Sequence, residues 1–245
     1  LWLSMAAECA DRLYSIDPFA GISMSPSVRG VILELISALQ QAHGRVLVSS
    51  ACAYLAFART GLAESELNHL LNLDDDVLAE VFQSHVPQVH ILPSLVFVTL
   101  LRGLQSVLAR RVERQSDVYT FAHLPFQEAI AGSMFCEADE RQQKHKQLAG
   151  FFSGRWAGVS KPYSQSLRDV LAHAINSMPI DAGSERFVPP MPLITSGAWC
   201  DADQQPRLNT RRIHEMVHHL LQAGDVDRAS DELHSVEYIA AKCAI

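Results

Sequence analysis

Glycine is scarce in this chain, 12 of 245 residues, and no G-x-x-x-x-G-K-[ST] loop occurs along it. That loop supplies the backbone N–H groups that cradle phosphates, so phosphoryl chemistry by this chain alone is not expected. Disulfide pairing has little to work with: Cys9, Cys52, Cys136, Cys200 and Cys243 are odd in number, scattered and free of any C-x-x-C pair. Such usage fits reduced thiols in a cytosolic compartment better than a disulfide frame. Positive charge is also in deficit, with 20 Lys and Arg against 27 Asp and Glu and a net charge of -7. No broad cationic field is available to hold a phosphate backbone. The longest apolar run, Leu95–Leu101, is closed by Arg102 well short of membrane-spanning length. The start, Leu-Trp-Leu-Ser-Met-Ala-Ala-Glu, lacks the cationic region and apolar length of a signal peptide. The expectation is a cytoplasmic protein with neither nucleic-acid nor membrane partners.

What is present is a hydrophobic content of 48% distributed in short amphipathic runs, which predicts a mainly α fold with a small β-hairpin. Trp2, Met5, Cys9, Leu13 and Ile16 recur at helical spacing up to Asp17-Pro18. Ser25-Pro26 offers an N-cap and N1 pair for a second helix, with Val28, Ile32, Leu35, Ile36 and Leu39 on one face and an end near Gly44. Further helices are expected over residues 47–59, 64–71 and 76–85, with a break at Thr60-Gly61. After Pro93 the spacing of Leu95, Val98, Leu101, Leu104 and Leu108 predicts a helix to about Arg111. Residues 112–118 then turn the chain into a hairpin. The run from Glu137 to Phe152 reads as a surface helix burying Leu148, Phe151 and Phe152. Five of the 11 prolines fall between Pro179 and Pro206, marking a linker or insertion. From Arg207 the grammar of helix, Ala223-Gly224-Asp225 break and helix describes a hairpin that must stack on something else to bury its apolar side.

The most informative stretch is Tyr119-Thr-Phe-Ala-His123-Leu-Pro-Phe-Gln-Glu128, which passes from period-two alternation into a helix with a histidine at the junction. Tyr119, Phe121 and His123 are expected on one face of the extended part, and Pro125 sets a first-turn φ. The motif resembles the end of the winged helix in NACHT-type STAND P-loop NTPases, the family of NOD-like receptors and of the nephrocystin-like and telomerase-associated-protein-like groups. There it reads roughly aromatic-x-Phe-x-His-x-Ser-Phe-x-Glu, with Pro125 here in place of the serine. Arg59-Thr-Gly-Leu-Ala-Glu-Ser-Glu-Leu-Asn-His-Leu-Leu71 is similar to a second element of the family, TGLSEDELLDLL.

The resemblance implies a helical subdomain over 1–44, a winged helix over 45–135, a helical extension over 136–178, a proline-rich linker or insertion over 179–206, and a hairpin over 207–245 leading to repeats. It implies that His123 contacts the β-phosphate of ADP, and that ADP or ATP with Mg is bound mainly by a P-loop domain preceding Leu1. Partners would be that domain, a following repeat domain and other proteins through assembly. No catalytic residue and no metal ligand is assigned. An imidazole N–H aimed at a phosphate makes a charge-assisted hydrogen bond; the plainer alternative is a buried histidine bonding a backbone carbonyl.

Rival patterns are also present. His214-Glu215-Met216-Val217-His218 fits the H-E-x-x-H zinc signature, with His219, Glu232 or Glu237 as third ligand. The alternative places His214 and His218 as polar flanks of the apolar stripe Ile213, Val217, Leu220 and Leu221. Leu70–Asp76 imitates a Walker B strand, yet its aspartates also suit an N-cap and first turn. A winged helix can bind DNA, but the corresponding helix carries Glu64, Glu66, Asn68 and His69 and no Lys or Arg. A structural scaffold in a cytoskeletal or ciliary assembly is the alternative to a nucleotide-coupled switch.

Overall fold

The computed structural model describes Ala7 and residues 25–84, 91–113, 116–174, 186–195 and 207–244. The helix expected over 2–16 lies outside the described residues. In chain order the helices are α1 (Val28–His43), α2 (Arg45–Phe57), α3 (Glu64–Leu73), α4 (Asp75–Ser84) and α5 (Ser94–Leu104). An antiparallel hairpin follows, β1 (Leu108–Glu113) with β2 (Ser116–Phe121), then α6 (Leu124–Ala129), which runs into a π turn over Ile130–Met134. The C-terminal part holds α7 (Ala138–Phe152), α8 (Gln165–Ala174), the short pair β3 (Ile194–Thr195) and β4 (Arg207–Leu208), then α9 (Thr210–Gln222), α10 (Val226–His234) and α11 (Val236–Cys243). Among the described residues no helix is long and apolar enough to cross a membrane.

Helix α1 is capped by Ser27, whose side chain accepts from the Gly30 N–H at 3.1 Å, rather than by the expected Ser25-Pro26 pair. Ser25 Oγ instead bonds Ser27 Oγ, supporting the cap from outside. The apolar stripe is as expected, with Ile32, Leu35, Ile36 and Leu39 buried and Val28 partly so. Helix α2 starts directly after Gly44, at φ +106, and has no capping side chain of its own. Its free amides are taken by Glu80 of α4, which accepts from Val46 N and Leu47 N at 2.9 Å each. A carboxylate at a helix N-terminus satisfies donors and complements the dipole.

Helix α5 stops at Leu104, about two turns short of the expected end, and Leu108 opens β1 instead. The buried residues of α5 are Phe97, Leu100 and Leu104, while Leu95 and Val98 are exposed. The expected stripe was therefore rotated from the true one. Leu104 and Leu108 are separated by four residues in either reading, and that spacing cannot distinguish a continued helix from a turn followed by an inward-facing strand residue. Helix α7 buries Leu148, Phe151 and Phe152 as expected, but it also buries His145 and packs closely against α9. Its opposite face, with Asp139, Glu140, Gln142, Gln143 and Lys146, is exposed, so it is a surface helix as expected whose inner face forms a wall of the core.

Leu70–Asp76 is helical apart from Asp74, which separates α3 from α4. Asp74 is buried and accepts from Tyr54 Oη at 2.8 Å and from Lys144 Nζ of α7 at 2.6 Å. Burial alone would raise its pKa; Lys144, with hydrogen bonds from Tyr54 and Ser50, reverses that and leaves it lowered. Asp75 is ion-paired to Lys161 and to the fully buried Arg186, whose guanidinium also donates to Asn72 O and lies over the Tyr163 ring. These aspartates are structural ties, and Arg186 brings a piece of the proline-rich stretch into the core.

A carboxylate with a depressed folded pKa stabilises above the unfolded value, about 3.9 for Asp, and that stabilisation is lost as pH falls through the folded pKa. Asp74→Asn is expected to cost about 3 kcal/mol at pH 7, because it leaves Lys144 poorly paired. The same substitution should flatten the loss of stability below about pH 4. Denaturant melts across pH, followed by circular dichroism, check this; parallel acid limbs in both proteins would contradict the assignment.

Candidate functional site

The junction between β2 and α6 is built from backbone pairing on one side and aromatic packing on the other. Tyr119 exchanges both backbone bonds with Leu62, at 2.8 and 3.0 Å, so the segment after the Thr60-Gly61 break adds to the edge of the hairpin. Gly61 permits this approach: it sits at φ +88, and a Cβ there would lie 2.6 Å from Tyr119 O. Val118 and Phe121 are the buried residues of β2, and the Phe121 ring lies parallel to Phe126 of α6 with centroids 5.6 Å apart. The expected single face of Tyr119, Phe121 and His123 is therefore broken. The strand ends at Phe121 and the chain bends at 122–123, so alternation does not carry to the histidine.

His123 occupies the N-cap of α6 in an extended conformation, φ -137 and ψ 133, and its carbonyl accepts from Phe126 N at 3.1 Å. Its side chain provides no cap and is exposed. Among the described residues no hydrogen bond to its ring is found, so it is not the buried, carbonyl-bonded histidine of the plainer alternative. Its neighbours Ala122 and Leu124 line a cleft of about 370 Å³ together with Arg59, Thr60, Arg111 and Gln127. Arg59 and Arg111 are exposed cations of this region.

Behind that cleft the loop 59–61 is gripped by α9. Glu215, with no exposed side-chain surface, accepts from Arg59 N at 2.9 Å and from Thr60 N at 2.8 Å, and also from Thr60 Oγ1. Arg211, one turn earlier, donates to Glu66 through two nitrogens at 2.9 and 2.7 Å, to Gly61 O at 2.6 Å, and to Thr60 Oγ1. One turn later His219 Nε2 meets Glu215 Oε2 at 3.1 Å, and His219 Nδ1 meets His145 Nδ1 of α7 at 2.9 Å. Burial would raise the Glu215 pKa; hydrogen bonds from His219 and Thr60, and then the charge of Arg211, outweigh it and push it down to about 2.

This geometry removes the H-E-x-x-H zinc-peptidase arrangement. The glutamate that would activate water is spent on the 59–61 loop and on His219. One ring nitrogen from each of His145, His218 and His219 does lie within 4.8 Å of the others, and His214 is not among them. On the sequence Arg211 has no assigned role, Glu66 is only one of the acids that argue against DNA, and the Lys144-His145-Lys146 cluster reads as a solvated face, which the burial of His145 overturns. A signal for part of this was present: Arg211, Glu215 and His219 recur every four residues, a polar line within the buried side of an otherwise apolar helix face.

The helices, the paired hairpin and the strand-like contact at Leu62 define a winged-helix domain with helices added on its C-terminal side. Residues 23–132 are a winged helix-turn-helix domain of the NWD1-like family. The chain is 31% identical over 213 residues to human NACHT domain- and WD repeat-containing protein 1, covering 85% of this chain and 12% of that protein. The mouse protein of the same name is 30% identical over 203 residues, 82% of this chain and 12% of its own length. Human NACHT and WD repeat domain-containing protein 2 is 27% identical over 218 residues, 84% of this chain. The chain thus spans about 12% of the length of the curated relatives it matches. No solved structure matches the chain significantly.

Removing one member of a buried, paired and hydrogen-bonded charge set costs about 3–5 kcal/mol. Glu215→Ala is expected to lose that amount in urea unfolding and to increase amide exchange at Arg59 and Thr60 before global unfolding. Unaltered exchange at those two amides would contradict the role given to the carboxylate.

Proposed function

We propose that the chain is the regulatory segment of a STAND-type NTPase, in which the nucleotide state of an adjacent NACHT domain sets the position of the winged helix. The observation that carries this reading is the exposed His123 ring, to which no hydrogen bond is found among the described residues, just beyond a strand whose edge partner continues from the loop held by α9. The path is physical at each step: His123 follows β2, β2 pairs with Leu62 through Tyr119, and residues 59–61 are held by Glu215 and Arg211. A movement imposed at the histidine therefore has a route of directional bonds to the C-terminal helices.

In this mechanism ADP, with Mg and bound mainly by the preceding P-loop domain, is held in part by His123, and the molecule stays closed. Exchange for ATP removes that differential contact and shifts the population toward an open form that oligomerises or scaffolds other proteins. The names of the similar proteins, which combine NACHT and WD repeats, support adjacent NACHT and repeat domains in one polypeptide. The apolar side chains Val226, Leu233, Val236 and Ile239, exposed on α10 and α11, fit continuation into packed repeats. This chain carries the coupling and no catalysis of its own. The same exposed side chains favour the second reading, a rigid scaffold for a cytoskeletal or ciliary assembly whose NTPase is degenerate.

His123→Ala in the full-length protein is expected to weaken ADP retention by about tenfold or more, the loss of one charge-assisted hydrogen bond, and to raise spontaneous assembly. Nucleotide dissociation and sedimentation measure the two effects. Unchanged ADP affinity with unchanged oligomeric state would defeat the sensor role and leave the scaffold reading.

A further inference from the structure

The contact between α7 and α9 contains three imidazoles drawn together by two helices. His145 is buried, His219 has no exposed surface, and His218 is half-buried. The His145 and His219 rings are 5.1 Å apart, those of His218 and His219 5.0 Å, and those of His145 and His218 6.0 Å. We propose that His145, His218 and His219 form a binding site for a divalent transition-metal ion of the imidazole-preferring class, zinc foremost, that staples α7 to α9.

Three observations carry the assignment. One nitrogen from each ring lies within 4.8 Å of the others, and nitrogens around a tetrahedral ion with bonds of about 2.0–2.1 Å sit roughly 3.3 Å apart. The 2.9 Å contact between the two Nδ1 atoms opens by a few tenths of an ångström, and half-buried His218 turns inward to complete three ligands. Second, His219 is already oriented as metal ligands are: its Nε2 faces the buried Glu215 carboxylate, which only accepts, so Nε2 carries the proton and Nδ1 is left as the donor to a metal. Third, a wall of aromatic side chains backs the rings: Phe57 stands 5.1 Å from His145, and Phe152 stacks at 6.1 Å on His219.

Without an ion, the two facing Nδ1 atoms share one proton. An ion takes the place of that proton, and the His145 proton moves to Nε2. Arg141 and Arg59 are the cations that face these rings, and Glu215 is the counter-charge. The fourth position falls to water on the half-exposed His218 side. This site differs from the H-E-x-x-H pattern in its ligands, since His214 is left out and His145 comes from another helix.

The test is titration of the purified full chain with cobalt(II) as a spectroscopic probe, followed by displacement with zinc. Wild type is expected to bind one equivalent with the visible absorption of tetrahedral cobalt, and zinc is expected to raise its melting temperature. His218→Ala removes a half-exposed ring without touching the Glu215 bonds, so it should fold. It should weaken binding by more than the roughly 10–100-fold that loss of an outer-shell partner costs, and abolish the zinc-dependent shift in melting. His214→Ala should bind as wild type does. Absence of saturable binding to wild type, or binding by His218→Ala equal to wild type, overturns the site; loss of binding in His214→Ala instead of His218→Ala would return the metal to the H-E-x-x-H pair.

Discussion

The carboxylate of Glu215 is the constraint on which the relation between the two parts of this molecule rests. It is fully buried and its oxygens are shared among two backbone amides, one hydroxyl, one guanidinium and one imidazole. A charge taken this far out of water is tolerated only if every such bond is made. The 59–61 loop, the start of α3 through Glu66, helix α9 and helix α7 through His145 must all therefore be in place together. The joint between the winged helix and the C-terminal helices is for that reason closer to all-or-none than an apolar contact of the same area.

Much of the architecture could be read from the residues, and the failures have definite causes. Helices with a single apolar stripe and a clear stop, such as α1 ending at Gly44 and α9 ending at the Ala223-Gly224 break, were legible because spacing and breaker agreed. The end of α5 was not, because Leu104 and Leu108 keep a helical spacing across a turn. His145 lies in Glu-Arg-Gln-Gln-Lys-His-Lys-Gln, where every neighbour says solvent, and only the tertiary approach of α9 buries it. Arg186 was invisible for a similar reason: a charged residue in a proline-rich stretch is buried only once Asp75 is there to receive it.

The candidate site divides the same way. His123 could be located from the switch of period and the proline after it, since both are local signals. Its exposure could not, because the bend at 122–123 takes the histidine out of the strand's alternation. Glu215 attracted notice for a pattern of five residues that suggests metal chemistry, whereas its partners come from positions more than 150 residues away in sequence, Arg59 and Thr60. Sequence patterns report what neighbouring residues can do together; they carry no record of long-range partners.

An ionic joint is a poor choice if strength alone is required, since apolar residues of matching volume hold as well or better. What such residues do not supply is direction. Arg211 and Glu215 bond to particular atoms of Thr60 and Gly61, and a displacement of the loop by the length of a hydrogen bond breaks several contacts at once while leaving charges buried. The intermediate positions are thereby penalised more than either the seated or the fully released arrangement, in which water can solvate the same groups. A polar clasp of this kind makes two states out of what an apolar interface would allow as a continuum of slides, and that bistability is the property a coupling element requires.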